Sequence, residues 1–204
     1  MKKVIVFDID RTIVDSYSSE LLSFQEAYFN VTGNKLSEDD INNFTTLPTS
    51  QFFDSLNLNN NTIDLINKEW SECFNSFNTV CFPNIKNIIR KLKKDGYIIG
   101  IITSRTLDEF HELDDELNEI MDCFTIIVTS DIIDKPKPNV DSMNYLINKI
   151  GCSVDDVIYI GDSLIDKTFS KNCKVKFIPA CFDNTELKVE ENACFKPEDI
   201  LKYI

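Results

Sequence analysis

The feature that most constrains this chain is a series of five short apolar runs rich in β-branched residues: Lys3–Phe7, Tyr97–Thr103, Phe124–Thr129, Val157–Ile160 and Val175–Pro179. Runs of this length read as strands, and the first two as strands buried on both faces. Between them the period changes to that of helices, over Pro83–Lys94, Leu107–Met121 and Asn139–Ile150, and Pro197–Ile204 closes the chain as a further helix. Asp95-Gly96 and Gly151 supply helix stops. Strands alternating with helices of this length predict an α/β fold with a mostly parallel sheet and right-handed crossovers.

One segment breaks the alternation. Residues 16–80, between the first and second strands, are nearly all helical in pattern, over Ser16–Val31, from Ser37-Glu-Asp-Asp40, over Thr49–Leu56 and over Thr62–Phe77. A crossover needs only about a dozen residues. Residues 16–80 are therefore predicted to form a helical subdomain, and residues 1–15 with 81–204 the α/β core. The Phe positions and Trp70 of the insert are expected mostly to form its core, with a minority open to lining a substrate pocket, which periodicity does not separate.

At the end of the first strand stand two carboxylates at i and i+2, in Asp8-Ile-Asp10-Arg-Thr12. A strand puts i and i+2 on one face, and in open α/β sheets ligands bind beyond the carboxyl ends of the strands. Two like charges so close are relieved by a shared proton or a divalent cation. Hard carboxylate oxygens favour Mg²⁺. Taken alone, the pair reads equally well as a solvated Asp-rich turn. The other strand ends add Thr103-Ser104-Arg105, then Lys135-Pro-Lys-Pro138, then Gly161-Asp162-Ser163 with Asp166 four residues after Asp162. Together these offer a nucleophile, a metal site, cations for transferring oxygens and an acid/base, the parts that phosphoryl transfer needs.

Composition narrows the partners. A formal charge of −13 argues against nucleic acid or an anionic membrane as the main partner. It leaves anionic small molecules open, because a metal and a few cations reverse the local field. The seven cysteines contain no CxxC pair and are odd in number, so neither a zinc site nor a disulfide framework is expected. No apolar run approaches the ~18–20 residues of a membrane span. The first apolar run is too short for a signal peptide, and a cytoplasmic location is expected. His111, the only histidine, lies in the acidic stretch Glu109–Glu116 and reads as incidental.

Phe7-Asp-Ile-Asp-Arg-Thr-Ile-Val-Asp-Ser16, the Thr103 strand end, Lys135-Pro-Lys-Pro138 and Gly161-Asp-Ser-Leu-Ile-Asp166 together resemble motifs I to IV of the haloacid dehalogenase superfamily. The helical insert after motif I resembles the C1-type cap of the phosphoglycolate phosphatase and β-phosphoglucomutase-like branch. The resemblance implies a Rossmann-like doubly wound parallel sheet with an inserted all-α cap subdomain. It further implies a phosphatase acting on a small phosphorylated metabolite. Asp8 would attack phosphorus to give an aspartyl-phosphate, and Asp10 would protonate the leaving oxygen and then activate water. Mg²⁺ would be held by Asp8, the Asp10 carbonyl and Asp162, with Asp166 outside the immediate ligands. Thr103, Ser104 and Lys135 would bind phosphoryl oxygens, while Lys137 would be solvated and Thr12 would support the loop. Substrate reading falls to the cap loop Thr45, Thr46 and Thr49, with Gln51, and to Arg11, which stands where the branch usually has Gly. Two other readings remain: a phosphomutase, for which the Thr45–Gln51 loop lacks a basic residue, and a non-catalytic binding module. Monomer and dimer are both left open.

Overall fold

The computed structural model describes residues 3–46, 49–74, 79–183 and 186–204. It divides into two compact units, Met1–Asp15 with Val80–Ile204, and Ser16–Thr79.

The first unit is built on five strands, β1 (Val4–Phe7), β2 (Ile98–Ile102), β3 (Phe124–Val128), β4 (Val157–Gly161) and β5 (Lys176–Pro179). All pairings are parallel, in the order β3-β2-β1-β4-β5. β1 is central and every residue in it is buried, as a strand covered on both faces requires. Successive side chains point to opposite faces, so Ile5 and Phe7 join Ile99, Ile101, Ile158 and Ile160 in one apolar cluster. Val4 and Val6 join Val157, Tyr159 and Val128 in another.

A helix covers each cluster. On the Ile5 side lies α5 (Ile85–Lys94), whose Ile85, Ile88, Ile89 and Leu92 form one buried stripe at i, i+3, i+4 and i+7. On the Val4 side lie α8 (Asp141–Ile150), through Met143 and Leu146, and α9 (Leu164–Cys173), through Phe169 and Cys173. The stops are as expected from local chemistry: Gly151, after α8, sits in the left-handed region at φ 73°.

The acidic stretch departs from its predicted single helix. It forms α6 (Leu107–His111), α7 (Asp114–Leu117) and a 3-10 turn, Asn118–Cys123. Asp108, Glu109, Glu112, Asp115, Glu116 and Glu119 would stack like charges three and four residues apart in one continuous helix. Phe110, Leu113, Leu117 and Ile120 are nonetheless all buried in the cluster on the Ile5 side of the sheet. His111 stays exposed beside Asp114, Nδ1 to Oδ2 3.0 Å. The predicted closing helix is likewise a 3-10 turn, Pro197–Lys202.

The second unit contains α1 (Ser16–Thr32), α2 (Glu38–Thr46), α3 (Thr49–Ser55) and α4 (Asn60–Phe74). Ser37 caps α2: its hydroxyl accepts the Asp40 N–H at 3.1 Å, and the Asp40 carboxylate accepts the Ser37 N–H at 2.9 Å. Phe24, Phe52 and Ile66 are buried together. Trp70 meets Phe24 edge-on at 5.1 Å and donates its indole N–H to Ser23 Oγ at 2.9 Å. Its one polar atom is thus satisfied while the ring is packed.

Within the first unit, the chain segments that lead to and from residues 16–79 run side by side. Val14 and Cys81 form an antiparallel bridge. The Asp15 N–H donates to the Val80 carbonyl at 2.8 Å, and the Phe82 N–H to the Ile13 carbonyl at 3.0 Å. Among the described residues no helix is long and apolar enough to cross a membrane.

Candidate active site

β1, β2 and β4 lie side by side, so their carboxyl ends bring three of the sequence motifs to one sheet edge. The Asp8 N–H donates to the Ile160 carbonyl at 2.8 Å, keeping Asp8 in register with β4 as it leaves the sheet. The chain then turns tightly. The N–H groups of Thr12, Ile13 and Val14 converge on the Ile9 carbonyl at 3.2, 2.8 and 3.1 Å, while Ile9 and Ile13 are fully buried.

That turn places Arg11 at φ 57°, in the left-handed region. A residue with a Cβ pays about 1 kcal/mol there. The Arg11 guanidinium donates twice to Asp183, at 2.9 and 3.2 Å, and lies 3.4 Å from Asp162. Sequence reasoning offered Arg11 as a substrate residue; the structure places it against two carboxylates. The Thr12 hydroxyl is buried with no hydrogen-bond partner among the described residues.

The loop after β3 carries a correction. Lys135, expected at the phosphoryl oxygens, is exposed. Lys137, expected in solvent, is the lysine of the site: its Nζ donates to Asp8 Oδ1 and to Asp166 Oδ1, both at 2.8 Å, with side-chain exposure of only 5%. The reason lies in the loop's anchoring. The Asn139 N–H closes a turn onto the Pro136 carbonyl at 3.0 Å, and Asn172 of α9 donates to the Pro138 carbonyl at 2.9 Å. The loop is thereby pinned to the helix that carries Asp166.

Asp166 is itself held from several sides. Ser163 caps α9, its hydroxyl donating to Asp166 Oδ2 at 2.6 Å while accepting the Asp166 N–H at 3.2 Å. The Tyr159 hydroxyl, fully buried in β4, donates to Asp166 Oδ1 at 2.9 Å and lies 3.1 Å from Lys137 Nζ. Sequence reasoning missed Tyr159, although a hydroxyl in an otherwise aliphatic buried strand needs a polar partner. Gly161 leaves room for the same carboxylate: a Cβ there would come within 2.6 Å of the Asp166 side chain.

The other predicted residues distribute as follows. Thr103 is buried at the end of β2, and its hydroxyl accepts the Arg105 N–H at 3.1 Å. Ser104 is exposed. Arg105, which sequence reasoning assigned no task, forks onto Asp10, Nε to Oδ2 at 2.9 Å and Nη2 to Oδ1 at 2.7 Å. Its signal was a cation at the same strand end as Thr103. Gln51 is exposed on α3. The side chains of Thr45, Thr46 and Thr49 lie outside the described residues.

The electrostatics follow from burial. Burial pushes the Asp8 carboxyl up to about 7, with the Lys137 ammonium pulling the other way. Burial, and then repulsion from Asp8, drives Asp162 well above the usual carboxylate range. For Asp166 burial is outweighed by Lys137 and by the hydrogen bonds from Ser163 and Tyr159, which hold it low. Oxygens of Asp8, Asp162 and Asp166 lie within 4.8 Å of one another, all three residues buried. Lys137 and Arg11 stand among the carboxylates of Asp8, Asp162 and Asp166, and the all-oxygen donor set of these three acids suits a hard divalent cation.

Comparison with known proteins agrees with this geometry. The sequence model of the haloacid dehalogenase-like hydrolases matches residues 5–180. Pyrophosphatase PpaX of Bacillus velezensis is 24% identical over 179 residues, covering 84% of this chain and 80% of the relative. Phosphoglycolate phosphatase of Vibrio cholerae is 23% identical over 182 residues, covering 83% and 80%. Among solved structures, a HAD-superfamily hydrolase of subfamily IA from Geobacter sulfurreducens superimposes with a TM-score of 0.75 at 16% identity, covering 98% of this chain and 95% of the other. The chain therefore belongs to the haloacid dehalogenase-like hydrolase family, and its relatives place it among that family's phosphatases.

Proposed function

We propose that this chain is a Mg²⁺-dependent phosphatase that hydrolyses a small phosphorylated metabolite through an aspartyl-phosphate. The observation that carries this reading is the buried Asp8 carboxylate at the end of β1, hydrogen-bonded to Lys137 and grouped with Asp162 and Asp166. Asp8, Asp162 and the Asp10 carbonyl would hold the cation, with Asp166 behind them. When bound, it supplies positive charge against the phosphoryl oxygens and lets the Asp8 anion approach phosphorus.

The chain's own residues divide the rest. An Asp8 oxygen forms a bond to phosphorus as the bond to the leaving oxygen breaks. Asp10 gives that oxygen its proton. In the second half, Asp10 takes a proton from water as the water oxygen displaces Asp8, releasing inorganic phosphate. Lys137 holds Asp8 oriented and offsets charge on the transferring group, and Thr103 lies at the adjacent strand end to bind it. Substrate choice would rest with the helical unit, read as a cap, where the candidate residues of the 45–51 stretch fall at the end of α2 and the start of α3. Among the described residues the seven cysteines form no disulfide, which suits a reducing compartment.

The test is a phosphate-release screen with Mg²⁺ over pyrophosphate, phosphoglycolate, sugar phosphates, nucleotides and amino-acid phosphates, repeated with a chelator. The first two compounds head the screen because relatives are named for them. Turnover of one class, lost with chelator and lost in Asp8→Asn, is the expected result. Turnover that survives in Asp8→Asn sinks the covalent mechanism. Isomerised sugar phosphate in place of free phosphate would reassign the chain as a mutase.

A further inference from the structure

We infer that Arg105 is the positioning residue for Asp10, holding its carboxyl group where it can hand a proton to the leaving oxygen; this rests on the phosphatase reading above. Asp10 leaves the tight turn after β1 with a side chain one-third exposed, at 34%. Such a carboxyl rotates freely unless something fixes it. Arg105 fixes it at two points, Nε to Oδ2 at 2.9 Å and Nη2 to Oδ1 at 2.7 Å. A planar fork on both oxygens sets the plane of the carboxylate as well as its position, which a lysine could not do.

The fork is itself held. Nη1 of Arg105 donates to the Glu109 carbonyl at 3.1 Å, and its backbone N–H donates to Thr103 Oγ1 at 3.1 Å. The Ser130 N–H donates to the Arg105 carbonyl at 2.9 Å. The side chain is only 13% exposed. Arg105 thus carries the placement of the end of β2, of α6 and of the segment after β3 onto one carboxyl group in the turn after β1. A carboxylate has about four lone-pair sites and the fork uses two, so Asp10 keeps a face for the leaving oxygen and, later, for water. When Asp10 gives up its proton, the proton goes to the leaving oxygen and the carboxylate that remains stays in the fork.

The test exploits leaving-group basicity. A weakly basic leaving group such as p-nitrophenolate departs without a proton, whereas an alkoxide does not. The kcat/KM of wild type, Arg105→Met, Arg105→Lys, Asp10→Asn and the double variant Arg105→Met/Asp10→Asn is measured on p-nitrophenyl phosphate and on the best alkyl phosphate of the screen. We expect Arg105→Met to lose about 10- to 100-fold on the alkyl ester, a part of the 10²–10⁴ that general acid catalysis typically supplies, and less than about threefold on the aryl ester. Arg105→Lys should recover little. The double variant should lose no more on the alkyl ester than Asp10→Asn alone, because a residue acting through another adds nothing once that other is gone. Equal losses on both esters, or additive losses in the double variant, would make Arg105 a structural residue and overturn the inference. A wild-type protein inactive on every phosphate would overturn the phosphatase reading itself.

Discussion

Lys137 and Lys135 stand two residues apart in Lys135-Pro-Lys-Pro138, yet one is sealed between carboxylates and the other is in water. Removing the buried cation strands two buried carboxylates. Lys137→Met should therefore lose about 3–5 kcal/mol in chemical denaturation and phosphate release by about 100-fold or more. Lys135→Met should match wild type in both, since substitutions in solvent fall within about 0.5 kcal/mol. Gly161 makes a different demand. Asp166 is fixed by Lys137, Ser163 and Tyr159 and cannot give way to the Cβ that Gly161→Ala adds at 2.6 Å. That variant should lose about 1–3 kcal/mol, the usual range for overpacking, and lose turnover more than Ser104→Ala does. Sequence alone could see that a lysine was needed after β3 but not which one. Loops have no period, and the choice was made by contacts from Asn139 and Asn172.

At the scale of elements, the strands were readable to within a residue or two, because a buried parallel strand must be continuously apolar. The region from Leu107 to Cys123 was not. Its apolar spacing fits a helix, but like charges three and four residues apart oppose one continuous helix, and the stretch is divided. One residue of that region has a further task. Glu116, in α7, accepts the Cys81 N–H at 2.9 Å and the Lys86 ammonium at 2.9 Å. Burial works to raise its carboxyl, yet the Cys81 N–H and Lys86 outweigh it and hold Glu116 below its ordinary value of 4.5. A lowered carboxyl contributes stability that is fully present above that value and is lost as pH falls through the lower folded one. The melting temperature of wild type should thus exceed that of Glu116→Gln at pH 6–7 and converge on it in more acid solution. A gap that stays constant across this range would show that the carboxylate charge is not what matters. The side chain is partly exposed, so added salt should narrow the gap.

For the molecule as a whole, the order of motifs predicted one sheet edge, and β1, β2 and β4 supply it. What no spacing could reveal was the network across that edge: Arg105 on Asp10, Arg11 on Asp162 and Asp183, Tyr159 beneath Lys137. Such contacts join residues from 22 to 172 positions apart and exist only once the sheet is assembled. The paired segments Ile13–Asp15 and Val80–Phe82 have a consequence of another kind. Where a chain leaves and re-enters a domain through two hydrogen-bonded neighbours, the excursion between them closes a loop the domain has already closed. Residues 16–79 are in that sense a cassette. Replacing them with a two-residue Asn-Gly turn, which suits an antiparallel ribbon, should leave Met1–Asp15 and Val80–Ile204 cooperatively folded, with unfolding followed by circular dichroism. The same junction should accept a helical cassette from a relative; on the proposed function, that exchange would carry selectivity between family members without rebuilding the α/β unit that holds the candidate site.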